Sequence, residues 1–386
     1  MRPLTIALLG PAPPLRGGIV QHTRLLREEL ERRHRISFFP LPRQYPKWLY
    51  PGRTADTAVA GAAAAASGHG IDWLNPLSWE RAARAIRRLD PDVIIVPWWS
   101  TFWAVPYWWV LRRARKTTRA RILFICHNVV PHEDSVLYRT AARIVLGLGS
   151  DHFVPSTDEE QQLLRWLPRA AVRVVPMPTF ASFNTARYSR SEARARLGVD
   201  GEIVLFFGFV RQYKGLEHLI RALAQPPLMR RAVTLHVVGE FWMDRAPFDR
   251  LLKDLGVAGR VRVVDRYVTD DEMELFFAAC DVVALPYTSV TGSAVAQLAA
   301  GFRRPVVASA IGDLAGAVRD GVTGFLVPPA DAARLAGAIA RALDRRESLQ
   351  RNVEAAASER TWAGFVDCIE ETVPSSAVGA ARPAFR

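Results

Sequence analysis

Only three cysteines occur in 386 residues, Cys126, Cys280 and Cys368, and each stands alone in an apolar stretch. That spacing excludes a disulfide framework and matches no zinc-ligand pattern. Buried thiols in a reducing compartment are the expectation. A secretory leader is also missing: the first apolar run, residues 4–9, is shorter than a signal-peptide core, and Gly10-Pro11 ends it. A cytoplasmic protein is expected. The turn after that run has no G-x-G-x-x-G, so it does not read as a dinucleotide site. No nucleic-acid-binding motif accompanies the basic residues, which argues against a nucleic-acid partner.

Negative charge is the scarcer sign. The chain has 38 Asp+Glu against 51 Lys+Arg, a formal net charge of +13. Two readings stand side by side: an anionic partner, or an Arg- and Ala-rich composition with no partner behind it. The partner that fits best is an anionic membrane surface, met peripherally on its inner face.

One stretch, residues 93–111, carries no charge over about the length that spans a bilayer. Pro97 and Pro106 divide it, and Asp-Pro-Asp leads into it. The pattern predicts a buried strand, a loop and a short aromatic-rich helix. Its cluster of Trp98, Trp99, Phe102, Trp103, Tyr107, Trp108 and Trp109 reads either as core and interface packing or as an apolar surface that receives a lipid-linked acceptor or touches the bilayer.

Short continuous apolar runs alternate with helical patterns almost throughout. TIALL, ISFF, DVIIV, ILFIC, HFVP and VRVV come first; IVLFFG, TLHVVG, VRVV, DVVAL, PVVAS and GFLV follow. Such runs are buried parallel strands, and the alternation predicts βαβ units. Pro176, Met177 and Pro178 break the series once. The fold class is therefore α/β: two Rossmann-like, doubly wound parallel-sheet domains facing a cleft, at 1–180 and 181–360, then a terminal helix and disordered tail over 361–386. Residues 43–70, with the run AGAAAAASGHG, read as a mobile excursion or an Ala-rich helix.

Chemistry is expected at the strand ends, where doubly wound sheets hold ligands. Gly17 and Gly18 precede a helix whose free N–H groups suit an anion; an ordinary strand–helix turn is the other reading. In FFGFVRQYKGLEHLI, Arg211 and Lys214 follow a strand and Gly215 opens a helix. Two cations there make a diphosphate cradle, against the reading of two surface cations. After DVVALPY, Thr291, Gly292 and Ser293 start a helix whose N–H groups suit phosphate. His127 ends a strand, with His132, Glu133 and Asp134 close behind. Their spacing matches no zinc signature, so no metal is expected.

Taken together, the KG loop at Lys214-Gly215, the DVVALPY strand with its helix, GVTGFLVPP, RGGIVQHT, IDWLNPLSW and ICHNVVPHE resemble the retaining GT-B glycosyltransferases of group 1 (family 4), in a bacterial branch. The resemblance covers nearly the whole chain. It implies transfer of a hexose from a nucleotide-sugar donor, held mainly by the second domain, with no catalytic metal and no cofactor. The acceptor would be a glycan, lipid-linked or small molecule, and the task polysaccharide biosynthesis. Arg211 and Lys214 match the cations on the donor diphosphate, although the family commonly has its Arg where this chain has Phe209. Gly17 and Gly18 match the loop near the β-phosphate. His127 matches the His beside the donor sugar, and Tyr267 lies where backbone reads the nucleobase. Trp98, Trp99, His132 and Glu133 are the acceptor-side candidates. Ser289 and Gln297 stand where the family usually has two Glu residues. Gln297 retains hydrogen bonds to ribose; Ser289 is shorter and uncharged. Three rivals remain: a nucleotide-sugar 2-epimerase, a non-catalytic GT-B module that binds nucleotide or glycan, and a membrane-associated scaffold.

Overall fold

The computed structural model describes residues 2–13, 15–43, 68–129, 136–289 and 293–373. The chain divides into two compact units, Pro178–Thr361 and the rest. Each of the twelve apolar runs becomes a strand, and every pairing is parallel.

The first unit holds β1 (Thr5–Pro11), β2 (Arg35–Leu41), β3 (Val93–Trp98), β4 (Arg121–Cys126), β5 (Asp151–Val154) and β6 (Val172–Val174), in the spatial order β2-β1-β3-β4-β5-β6. The order reverses between β1 and β3, and in doubly wound sheets such a reversal opens a crevice beyond the carboxyl ends of the two strands. Ile94, Val96, Ile122 and Phe124 face one side of the sheet, where Tyr107, Val110 and Leu111 cover them. Leu4, Ile6, Leu8, Val93 and Ile95 face the other.

The helix Trp362–Glu370 corrects the expected boundaries: the terminal segment is no separate region but completes the first unit. Phe365, Val366 and Ile369 pack with Leu4, Ile6, Leu26 and Leu30. An amphipathic helix has an apolar face to bury, and its own sequence does not say against which sheet.

The second unit holds β7 (Glu202–Phe207), β8 (Val233–Val238), β9 (Val261–Val264), β10 (Val282–Leu285), β11 (Val306–Ser309) and β12 (Gly324–Val327), in the order β12-β11-β10-β7-β8-β9. Its reversal lies between β10 and β7. Local signals fix its helices. Ser189 and Glu192 form a capping box at Arg190–Leu197, and Thr269 and Glu272 form another at Asp270–Ala279. The segment leading into the unit is pinned by buried Glu274, which accepts from the Thr185 hydroxyl at 2.7 Å and the Arg187 N–H at 3.0 Å.

The uncharged stretch at 93–111 resolves into β3, a 3₁₀ turn at Thr101–Trp103 and the helix Ala104–Thr117. Among the described residues no helix is long and apolar enough to cross a membrane. Cys126 and Cys280 are buried, whereas Cys368 is only partly so. Most of the 43–70 excursion and the tail beyond Val373 lie outside the described residues.

Candidate functional site

In the second unit, Lys214 is the centre of the candidate site. β7 ends at Phe207; Gly208 and the 3₁₀ turn Gln212–Lys214 carry the chain to the helix Leu216–Leu223. Gly215 between them has φ +65°, and a Cβ there would lie 2.0 Å from the Pro286 carbonyl oxygen, so only glycine fits. This close approach draws the loop after β7 against the loop after β10, at the reversal point. Lys214 is buried, with 7% of its surface exposed. Its Nζ donates to the Phe207 carbonyl at 3.4 Å and stands 5.6 Å from the Tyr287 ring centroid. Among the described residues no carboxylate pairs with it. Burial, and then the charge of Arg211, pull its pKa down to about 7.

Arg211 is exposed and lies over aromatic rings, 4.9 Å from the Trp242 centroid and 6.0 Å from that of Tyr213. Trp242 in turn stacks on Phe209 at 4.2 Å, and Phe209 approaches Tyr267 at 6.3 Å. These three rings follow β7, β8 and β9 and form an aromatic shelf at the carboxyl edge of the sheet.

Ser293 is the N-cap of the helix Ala294–Gly301, and its side chain accepts from Ala296 N–H. The hydroxyl thus closes the helix end, leaving backbone N–H groups to meet an anion. Gln297 is half-buried one turn into that helix, and its backbone carbonyl accepts from Phe180 N–H at 3.2 Å. Ser289 is exposed. Thr291 and Gly292 lie outside the described residues.

In the first unit, Gly17 is the N-cap of the helix Gly18–Glu31, with φ 116° and ψ 171°, a conformation that favours glycine. The first turn has no acidic residue, and a Cβ at Gly17 would meet nothing within 4 Å. The loop is therefore open at a positive helix end. His127 follows β4, and its N–H donates to the Trp98 carbonyl at 2.8 Å. The Val129 N–H donates to the Glu159 carboxylate at 2.7 Å, which holds the next residues of that loop. Burial pushes the His127 imidazole down to about 4, so it is neutral at physiological pH. Its ring meets that of His22 edge to face, with centroids 4.4 Å apart.

One acceptor-side expectation needs correcting. Trp98 is core, packed edge to face on Phe124, and has almost no surface to offer an acceptor. Its place on a strand buried on both faces is the reason. Trp99 is half-buried beside Trp103, itself fully buried. His132 and Glu133 lie outside the described residues. Among the described residues no group of three or more His, Cys, Asp or Glu side chains could hold a metal ion.

Sequence reading missed His22, Trp242 and Tyr287. Trp242 and Tyr287 each follow a strand, a position that could have flagged them. His22 sits in a helical stripe and carried no such signal.

Comparison with known proteins gives a consistent result. Residues 201–345 match the family described as "Glycosyl transferases group 1", and residues 16–179 match "Glycosyltransferase Family 4". The D-inositol 3-phosphate glycosyltransferase of Geodermatophilus obscurus is 34% identical over 233 residues, 57% of this chain and 51% of the relative. The D-inositol 3-phosphate glycosyltransferase 1 of Catenulispora acidiphila is 32% identical over 256 residues, 62% of this chain and 61% of the relative. The chain thus spans about half, or somewhat more, of the length of the curated relatives it matches. Among solved structures, sucrose-phosphate synthase from Thermosynechococcus elongatus has TM-score 0.71 at 20% identity, over 98% of this chain and 100% of that one. Anabaena HepE in complex with UDP and glucose has TM-score 0.71 at 21% identity, over 96% and 99%. At these identities the likeness is one of fold.

Proposed function

The chain belongs to the group 1 (family 4) glycosyltransferases, and from that membership we propose that it transfers a hexose, with retention of configuration, from a nucleotide-sugar donor to a hydroxyl of its acceptor. One observation carries the reading: Lys214 is a buried amine with a second cation nearby and no carboxylate partner among the described residues. A buried ammonium is costly unless an anion joins it. A diphosphate between Lys214, Arg211 and the Ser293 helix end would be that anion.

The chemistry follows from the charge. As the glycosidic bond to the diphosphate lengthens, the anomeric carbon becomes oxocarbenium-like and negative charge grows on the leaving oxygen. Lys214, Arg211 and the backbone N–H groups after Ser293 stabilise that charge. The departing phosphate can accept the proton of the acceptor hydroxyl on the same face. His127, neutral because it is buried, positions the sugar and is too weak a base to take that proton. Gln297 would bond the ribose hydroxyls, and Tyr267 would flank the base. Metal independence belongs to this proposal, and its check is the presence of EDTA in the binding assay.

The relatives are named for an inositol phosphate acceptor. That favours a phosphorylated small-molecule acceptor over a glycan or lipid-linked one, and the net charge of +13 suits it. Peripheral membrane contact is proposed on a different observation: Val136, Leu137 and Ile144 are exposed on a helix that also carries Arg139 and Arg143. An anionic inner-leaflet surface would take both kinds of side chain.

A second reading rests on Ser289 and Gln297, which leave the donor site without the family's Glu pair. It is a non-catalytic module that binds nucleotide or glycan for a partner. Thermal stabilisation by UDP-, GDP- and ADP-glucose with EDTA present, followed by an acceptor screen, separates the two. A shift with one sugar nucleotide plus glycosyl transfer supports the enzyme. A shift without transfer to any acceptor, or no shift at all, favours the module or removes the donor site.

A further inference from the structure

His22 poses a problem that the donor site does not answer. It lies on the helix Gly18–Glu31 with 3% of its surface exposed, and among the described residues neither ring nitrogen has a hydrogen-bond partner. The Nε2 of His127 is likewise buried without one among them. The two rings meet at 89° with centroids 4.4 Å apart. Trp362, at 5.0 Å, and Phe365, at 6.0 Å, also pack on the His22 ring.

Buried hydrogen-bonding groups are normally satisfied, so three orphaned imidazole nitrogens in adjacent rings need a reason. A phenylalanine at 22 would fill the same space without the desolvation cost. The nitrogen is therefore the part of His22 that has a use. A functional histidine usually has its tautomer fixed by a carboxylate or a backbone carbonyl on its second nitrogen. Among the described residues no carboxylate or carbonyl takes up the Nε2 of His127. At 4.4 Å between centroids, a turn of either ring brings a nitrogen of His22 within hydrogen-bonding reach of the orphaned Nε2.

We propose that His22 is a positioning residue for His127: it bonds Nε2 in the ligand-bound state, and so holds the ring with its other nitrogen turned toward a sugar hydroxyl. Without that bond the ring turns about its Cβ–Cγ axis and keeps the hydroxyl contact only part of the time. The inference rests on the reading of His127 as a contact of the donor sugar.

The test uses the full chain and two readouts. The first is the affinity for UDP-glucose relative to UDP, with the GDP and ADP pairs tried alike. The second is the ¹⁵N signals of the His127 ring with the sugar nucleotide bound. His22→Phe is expected to lower the relative affinity about tenfold, the scale of one hydrogen bond. It should also move the His127 Nε2 signal to that of a nitrogen without a hydrogen bond. His22→Gln, which retains a donor and an acceptor, should restore both. A folded His22→Phe protein that keeps the relative affinity and the wild-type Nε2 signal overturns the proposal. If His22→Phe does not fold, His22→Gln decides by the same two signals against the wild type. If instead His127→Ala leaves the relative affinity unchanged, or no sugar nucleotide binds the wild type, it is the reading of His127 that falls.

Discussion

The Arg211 guanidinium lies over the indole of Trp242, 4.9 Å from its centroid, while Trp242 stacks on Phe209 at 4.2 Å. A flexible cation is thereby held at the edge of the site before any ligand arrives. A planar guanidinium gains from such a stack more than an ammonium does. Arg211→Lys should therefore weaken binding of a nucleoside diphosphate about tenfold even though the charge is unchanged, as isothermal titration would show. Trp242→Ala should have a similar effect, and Trp242→Phe a smaller one.

Lys214→Ala should lower turnover by roughly 100-fold or more, the scale of losing one group that stabilises a leaving charge. Its melting temperature should stay near that of the wild type, because the variant removes a buried amine that no carboxylate pairs with among the described residues. Normal turnover in this variant would detach Lys214 from the chemistry.

The Lys214 amine is held near 7, so in the free protein it is charged below that pH and neutral above it. An incoming diphosphate favours the charged form. Binding at pH 8 should therefore take up a proton, and binding at pH 6 should not. Titrations in two buffers of different ionisation enthalpy measure the difference. Equal enthalpies at pH 8 after correction for dilution would contradict it.

His22 and His127 are both held neutral by burial, His127 near pH 4. Their folded values lie below the unfolded one, about 6.5. As pH falls below 6.5 the unfolded imidazoles bind protons that the folded ones refuse, so stability is lost toward pH 4. For His127 alone the loss is on the order of 3 kcal/mol across that window. Urea midpoints between pH 7 and 4 should fall less steeply for His127→Asn than for the wild type.

Gly215→Ala should be strongly destabilising, by more than about 2 kcal/mol, since it adds backbone strain to a clash with the Pro286 carbonyl. The same change at Gly198, also at positive φ but with open space around it, should cost less. Thermal melts of the two variants give the comparison.

Membrane contact is open to a direct trial. Sedimentation with vesicles containing about a third phosphatidylglycerol should retain the wild type at low salt and release it at high salt. Val136→Glu with Leu137→Glu should abolish retention. Equal retention of the double variant would move the contact elsewhere or remove it.

Much of the fold was legible because parallel strands are buried on both faces and write themselves as continuous apolar runs; β1, β4 and β7 are examples. The loop from Gly208 to Gly215 was legible as a strand-to-helix connection, since its glycines stand where the apolar run stops and the helical pattern starts. What the sequence concealed depended on contacts far apart in the chain. Nothing near Trp98 says that Phe124 will cover it, so the sequence leaves both the core and the surface reading of the aromatic run open. Nothing near His22 announces His127, 105 positions away, or Trp362 behind it. The burial that makes Lys214 informative likewise appears only once β10 brings Tyr287 beside it.

The helix Trp362–Glu370 gives the fold a direction in time. Leu4, Ile6, Leu26 and Leu30 are synthesised before the second unit, yet Phe365, Val366 and Ile369, which close over them, come after it. On the ribosome the second unit has all its strands before the first has its last wall. The first sheet must wait, with one apolar face only partly covered by the helix Gly18–Glu31, while an entire second unit is made. A chain stopped at Thr361 would retain every strand of the first unit and still lack its closure.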